Sequence, residues 1–110
     1  FFGGTVAEND YQAGLIQRLY ARFPGCEILK NDASYRQGIL DISIYYGPFW
    51  AMLEVKAHRR ARSRPNQDYY IEKLNNMGFA AKIYPENEEE VLLALEEAFA
   101  SRGATRLPVA

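Results

Sequence analysis

The sequence predicts an α/β fold, a small mixed sheet flanked by helices in the order α-β-β-β-α-β-α. Three observations carry this. Apolar residues recur at helical spacing in three stretches. Two runs rich in β-branched and aromatic residues flank Gly47-Pro48 as the arms of a hairpin would. Helical and extended stretches also interleave along the chain instead of segregating, which favours helices packed on a sheet.

Each element has its own signal. The first helix is expected over Val6–Arg22, with Tyr11, Leu15, Ile16, Leu19 and Phe23 on its apolar side and Pro24-Gly25 as its stop. Thr5 and Glu8 have capping-box spacing at its start. A short strand is expected over Cys26–Leu29, followed by a polar loop over residues 30–38. The hairpin arms are Ile39–Tyr46 and Phe49–Lys56. Pro65 suits the first turn of a second helix carrying Tyr70, Ile71, Leu74 and Met77 on one face and ending at Gly78. Phe79–Tyr84 is the last strand. Asn87 and Glu90 have cap spacing for a third helix with Val91, Leu92, Leu95, Ala98 and Phe99 inward.

At 110 residues the chain has the length of one domain with a core of useful size. No apolar run reaches membrane-spanning length, and no signal-peptide pattern is present. Cys26 is the only cysteine, which excludes an internal disulfide and a multi-cysteine zinc site. An intracellular setting is expected, the host cytoplasm if the gene is phage-borne. The net charge of −1 conceals an uneven spread. Residues 1–85 carry 11 Lys/Arg against 8 Asp/Glu, while residues 86–110 carry 6 acids against 2 bases. The densest cationic run is Lys56-Ala-His58-Arg59-Arg60-Ala-Arg62-Ser-Arg64, a solvated loop or a phosphate-binding one.

The hairpin holds the chemistry. If its turn is centred on Gly47-Pro48 without a bulge, residue 46 faces 49, 45 faces 50, and Asp41 lies opposite Glu54. One face is then wholly apolar: Leu40, Ile42, Ile44, Tyr46, Phe49, Ala51, Leu53 and Val55. The other holds Ile39, Asp41, Ser43, Tyr45, Trp50, Met52, Glu54 and Lys56, with its charges gathered at one end. Two opposed carboxylates repel unless a cation joins them, and Mg²⁺ favours such hard oxygen ligands. Lys56, on the same face, either holds water or phosphate there or simply neutralises the pair. Helix 1 is expected to cover part of Tyr45, Trp50 and Met52.

The pattern Gly38-Ile-Leu-Asp41 followed by Glu54-Val55-Lys56 resembles the PD-(D/E)XK nuclease superfamily over roughly residues 8–84. Arg64-Pro65-Asn66-Gln67 resembles the segment bearing the glutamine after that motif in virus-type replication-repair nucleases and phage junction-resolving endonucleases. Leu40 stands where the family usually has proline, which is not a metal ligand.

The resemblance implies a restriction-endonuclease-like core. It implies that Asp41, Glu54, the Val55 carbonyl and Glu8 hold Mg²⁺ or Mn²⁺, and that Asp41, Glu54, Lys56, Glu8 and Gln67 form the catalytic set. Glu8 fits a capping box equally well, and Gln67 a solvated first turn. Arg59, Arg60, Arg62, Arg64, His58, Lys30 and Arg36 would contact DNA, and Tyr35 lies in the same loop as Arg36. The expected function is a Mg²⁺-dependent endodeoxyribonuclease, phage-type and selective for branched DNA such as Holliday junctions. Its expected partners are DNA and a second copy of the chain in a homodimer, with no membrane and no small-molecule cofactor. A nonspecific or nicking nuclease, a non-catalytic nucleic-acid-binding module of the same fold, and a domain cut from a larger protein are the alternatives.

Overall fold

A computed structural model describes residues 5–104. Helix α1 spans Val6–Arg22 and starts where Thr5 Oγ1 accepts the Glu8 N–H at 3.1 Å. Strands β1 (Glu27–Lys30), β2 (Ile42–Tyr46) and β3 (Phe49–Val55) form an antiparallel meander. Helix α2 (Gln67–Met77) then crosses over, so β4 (Ala80–Ile83) joins β3 in parallel. A 3₁₀ turn over Pro85–Asn87 leads into α3 (Glu88–Ala104). The sheet order is β1-β2-β3-β4, so the sheet is mixed, as the sequence predicts. No described helix is long and apolar enough to cross a membrane.

The hairpin register is the expected one, with Tyr46 against Phe49 and Ile42 against Leu53. Gly47 takes φ +61°, as the first central position of a type II′ turn requires, and the Pro48 ring keeps the second at negative φ. Even-numbered residues of β2 and odd-numbered residues of β3 therefore share one face. Ile42, Ile44, Ala51, Leu53 and Val55 on that face are fully buried. Leu15, Leu19 and Phe23 of the α1 region and Val91, Leu92, Leu95 and Phe99 of α3 pack onto them. Burying each such aliphatic side chain is worth about 1.5–3 kcal/mol, so this layer supplies most of the driving force for folding.

Helices α1 and α3 are also clasped by charge. Arg18 Nε meets Glu88 Oε2 at 2.6 Å, Arg22 binds Glu89 and Glu96, and Tyr11 donates to Glu88 at 2.7 Å. The acidic start of α3 thus serves helix packing and is not a merely solvated surface.

Several sequence expectations are corrected. Strand β1 runs Glu27–Lys30, one residue later than the expected Cys26–Leu29. Pairing of β2 starts at Ile42 and not Ile39, because Gly38 at φ +89° and a turn from Arg36 to Ile39 hold the chain out of the sheet. Strand β3 stops at Val55, and β4 covers only Ala80–Ile83. Helix α2 begins at Gln67, after Asn66 in the left-handed region at φ +71°, and Pro65 lies outside it. Met77 is 62% exposed and Ile71 and Leu74 are only half-buried, since α2 lies on the thinner side of the sheet. Asn87 turns back to bind the Tyr84 N–H and the Lys82 carbonyl, so both ends of its amide are committed upstream of α3.

Helix α1 packs on the apolar face and leaves Tyr45, Trp50 and Met52 to the other layer. There Trp50 lies against Gly78, where an added Cβ would stand 2.5 Å from the ring. Tyr45 remains 41% exposed.

The loop before β2 is pinned to the start of α2. A Cβ at Gly38 would stand 2.7 Å from Asn66 Cβ and 3.0 Å from the Pro65 carbonyl oxygen. Gly38→Ala combines that clash with a left-handed φ, for an expected loss of about 2–4 kcal/mol. A shift of the denaturation midpoint measures it, and an unchanged midpoint would mean that the loop does not rest on α2.

Candidate active site

The pairing of β2 with β3 ends at Ile42–Leu53, and the site begins there. The next bond in register would join the Val55 N–H to the Leu40 carbonyl. Instead Val55 N–H donates to Asp41 Oδ2 at 2.8 Å, and the Leu40 carbonyl accepts from Asn31 Nδ2 at 2.9 Å. Asn31 also bonds Ser43 Oγ, and its own N–H donates to the Asp41 carbonyl at 2.8 Å. Asp41 is thus set in place by β3 on one side and Asn31 on the other. In an extended strand a residue's N–H and carbonyl point to the same side, so the Val55 carbonyl faces the Asp41 side.

Glu54 lies on the same face, fully buried. Burial, then the neighbouring Asp41 charge, push its carboxyl up to about 7, against the opposing pull of Lys56. Asp41 is also raised, chiefly by burial, although the Val55 N–H and the cations Arg64 and Lys56 draw it back.

Lys56 is 3% exposed, with Nζ 2.9 Å from Glu54 Oε2 and 3.2 Å from Gln67 Oε1. The Lys56–Glu54 contact is an ion pair by distance, yet among the described residues neither Glu54 oxygen receives a well-directed hydrogen bond. A buried carboxylate with oxygens left unfilled is costly in a folded protein.

Glu8 reaches this end of the sheet from α1. It is 8% exposed and raised mainly by burial, with Lys56 lowering it and Asp41 raising it. Its backbone N–H serves the Thr5 cap, whereas among the described residues its carboxylate makes no return bond to Thr5. The capping role and the site role therefore belong to different atoms of one residue. Gln67, the first residue of α2, is fully buried and not solvated. Its Oε1 accepts from Lys56 Nζ and, at 2.7 Å, from the Arg64 N–H.

No family model, curated protein or solved structure matches the chain.

The remaining expected residues separate by location. Arg59, Arg60, Arg62 and His58 are exposed, with His58 Nδ1 accepting the Arg60 N–H inside a turn. Lys30 and Arg36 are exposed as well, and Arg36 reaches the Tyr70 hydroxyl at 3.4 Å. Arg64 does not belong with them. Its charge is felt by Glu8, Asp41 and Glu54, and its buried Nη2 has no partner among the described residues. The sequence alone groups Arg64 with the basic loop and gives Asn31 no role. The only local hint for Arg64 is its distance of three residues from Gln67.

Among the described residues no group of three or more metal-ligating side chains closes up. The fit of a divalent cation therefore rests on two facing carboxylates, the Val55 carbonyl and Glu8 nearby. The Glu54 oxygens favour that fit, because apart from the Lys56 ammonium beside Oε2 they meet no partner among the described residues, and hard carboxylate oxygens suit Mg²⁺ or Mn²⁺. A cavity of about 460 Å³ lies elsewhere, between Phe23, Tyr46, Phe49 and Phe99 near the hairpin tip. Its lining is mainly aromatic and carries no paired carboxylates, so the chemistry is assigned to the open end of the sheet.

Proposed function

We propose that this chain is a Mg²⁺- or Mn²⁺-dependent nuclease that hydrolyses DNA phosphodiester bonds. The observation that carries the reading is the buried Glu54 beside half-buried Asp41, with Glu54 oxygens that lack a well-directed hydrogen bond and with Lys56 and Gln67 alongside. It extends to a restriction-endonuclease-like core, with Glu8 as an outer carboxylate. When bound, the cation supplies Lewis acidity that sharpens water as a nucleophile and offsets phosphate charge.

The chain's own residues do the rest. Asp41, fixed by the Val55 N–H, and Glu54 supply oxygen ligands on rigid strands. Gln67 Oε1 aims the Lys56 ammonium, which orients water and steadies charge developing on the phosphate. Burial of Lys56 and Glu54 strengthens these interactions by keeping bulk water from screening them.

The test is cleavage of supercoiled, single-stranded and four-way-junction DNA with Mg²⁺, Mn²⁺ or EDTA. Turnover is expected only with a divalent ion, and full activity in EDTA would end the proposal. Preference for branched DNA belongs to the same proposal, because two matched cuts call for a two-fold dimer of chains that each hold one site. Light scattering is expected to give twice the monomer mass. A monomer cutting junction and duplex equally would leave a nonspecific nuclease.

Exposed Arg59, Arg60 and Arg62 are proposed to bind backbone phosphates around the site. The triple alanine variant should bind all DNA sequences more weakly. For every phosphate that an arginine no longer neutralises, the slope of log K against log salt should become shallower by about 0.9 on duplex DNA. An unchanged slope would leave this loop as a solvated connection.

A further inference from the structure

We infer that Arg64 and Gln67 form an oxyanion subsite for a phosphate ester, beside the carboxylate pair and able to fill without a metal. Among the described residues two buried N–H groups lack an acceptor here, Arg64 Nη2 and Gln67 Nε2. The Gln67 amide cannot be turned over to hide the deficit. Its oxygen already faces two donors, Lys56 Nζ at 3.2 Å and the Arg64 N–H at 2.7 Å, so the amino end must be the unpartnered one. The Arg64–Gln67 backbone link also holds the two side chains on one short segment.

The carboxylates do not answer these donors. Arg64 lowers Glu8, Asp41 and Glu54 through space, yet among the described residues it forms no close ion pair with any of them. Among the described residues the site therefore holds unfilled donors on the α2 side and, on the β3 side, a Glu54 carboxylate whose Oε1 has no partner and whose Oε2 has only the Lys56 ammonium beside it. A ligand that satisfies both must bring an oxyanion to one and a cation to the other. A tetrahedral phosphate ester suits the first because its oxygens can meet a guanidinium and an amide together. Asn66 makes no side-chain cap bond, so the first N–H groups of α2 add partial positive charge at this end. Arg64 is thereby a substrate-holding residue, distinct from the exposed arginines. That the phosphate belongs to a nucleic-acid backbone rests on the nuclease reading; the oxyanion subsite itself does not.

The test is NMR titration of the whole chain in EDTA with two probes, inorganic phosphate and a dinucleoside monophosphate. Saturable shifts are expected at the Gln67 side-chain amide and the Arg64 guanidinium, with the diester probe binding if the natural ligand is a nucleic-acid backbone. Binding of inorganic phosphate alone would assign the subsite to free phosphate or a phosphate terminus. Arg64→Met should weaken binding at least tenfold. Gln67→Glu keeps the oxygen that Lys56 and Arg64 approach but removes the amide donor, and it should weaken binding by a similar factor. Their melting temperatures report that the fold is intact. Absence of saturable shifts in the parent, or parental affinity in both variants, would overturn the inference. Phosphate binding abolished in the variants of a protein that cuts no DNA with any divalent ion would leave the subsite standing and remove the nuclease reading. Unimpaired cleavage by a variant that no longer binds phosphate would do the reverse for catalysis.

Discussion

Glu54→Gln should cut no DNA and yet melt later than the parent in metal-free buffer above neutral pH. The two effects have one cause. Burial and the Asp41 charge push the Glu54 carboxyl up to about 7, so its ionised form is held at a cost. Glutamine imitates the protonated form, removes the repulsion and can donate to Asp41. It also loses the second charged ligand, for an expected fall in cleavage on the order of a thousandfold or more.

Two companion variants sharpen the test. Asp41→Ala should lose cleavage equally, but with less gain in stability, because the Val55 N–H loses its acceptor. Lys56→Ala should lose cleavage and also stability, by about 1–3 kcal/mol, because Glu54 is left buried without its cation. Cleavage near the parental rate in two of the three variants would show that this end of the sheet is not the active site.

The second large effect is on pH. In the unfolded chain Glu54 releases its proton near the ordinary 4.5, whereas in the fold it keeps it up to about 7. Between those values the folded protein binds more protons, so its stability should fall as pH rises. Asp41 and Glu8 are shifted in the same direction. The loss attributable to Glu54 is on the order of 3 kcal/mol at most. Saturating Mg²⁺ should reverse the trend, since the metal replaces the proton and stabilises by about 2.7 kcal/mol at one hundred times its Kd. Thermal melts from pH 4.5 to 8, with EDTA or Mg²⁺, measure both effects. The same pH profile in Glu54→Gln as in the parent would remove Glu54 as the cause.

Much of this architecture is legible in the sequence for local reasons. Thr5 and the Pro24-Gly25 stop bound α1, and its range is the expected one. Strict alternation around Gly47-Pro48 specifies a register in which any slip would expose a core face, so Asp41 and Glu54 can be placed together. Less legible are residues whose role is long-range. Asn31 has no pattern of its own and acts only because β1 lies beside β2. Arg64 reads as one more charge in a basic run until the left-handed Asn66 turns the chain and the Arg64 N–H meets Gln67. The faces of α1 and α2 are harder still, because an amphipathic stripe says that a helix is covered, not which side of the sheet covers it.

The two-residue turn at Gly47-Pro48 has a consequence for how this sequence can vary. Core and chemistry are read from opposite faces of the same two strands, so both depend on the same parity count. Adding or removing a single residue at the hairpin tip would send Asp41 and Glu54 to opposite sides of the sheet, or else turn a row of aliphatic side chains outward. Length changes at this corner are therefore tolerable only in twos, or with a bulge that absorbs the odd residue before it reaches Asp41. The hairpin tip, although exposed, should be among the places least open to insertion, while the stretch between Lys56 and Arg64 has no such parity to keep.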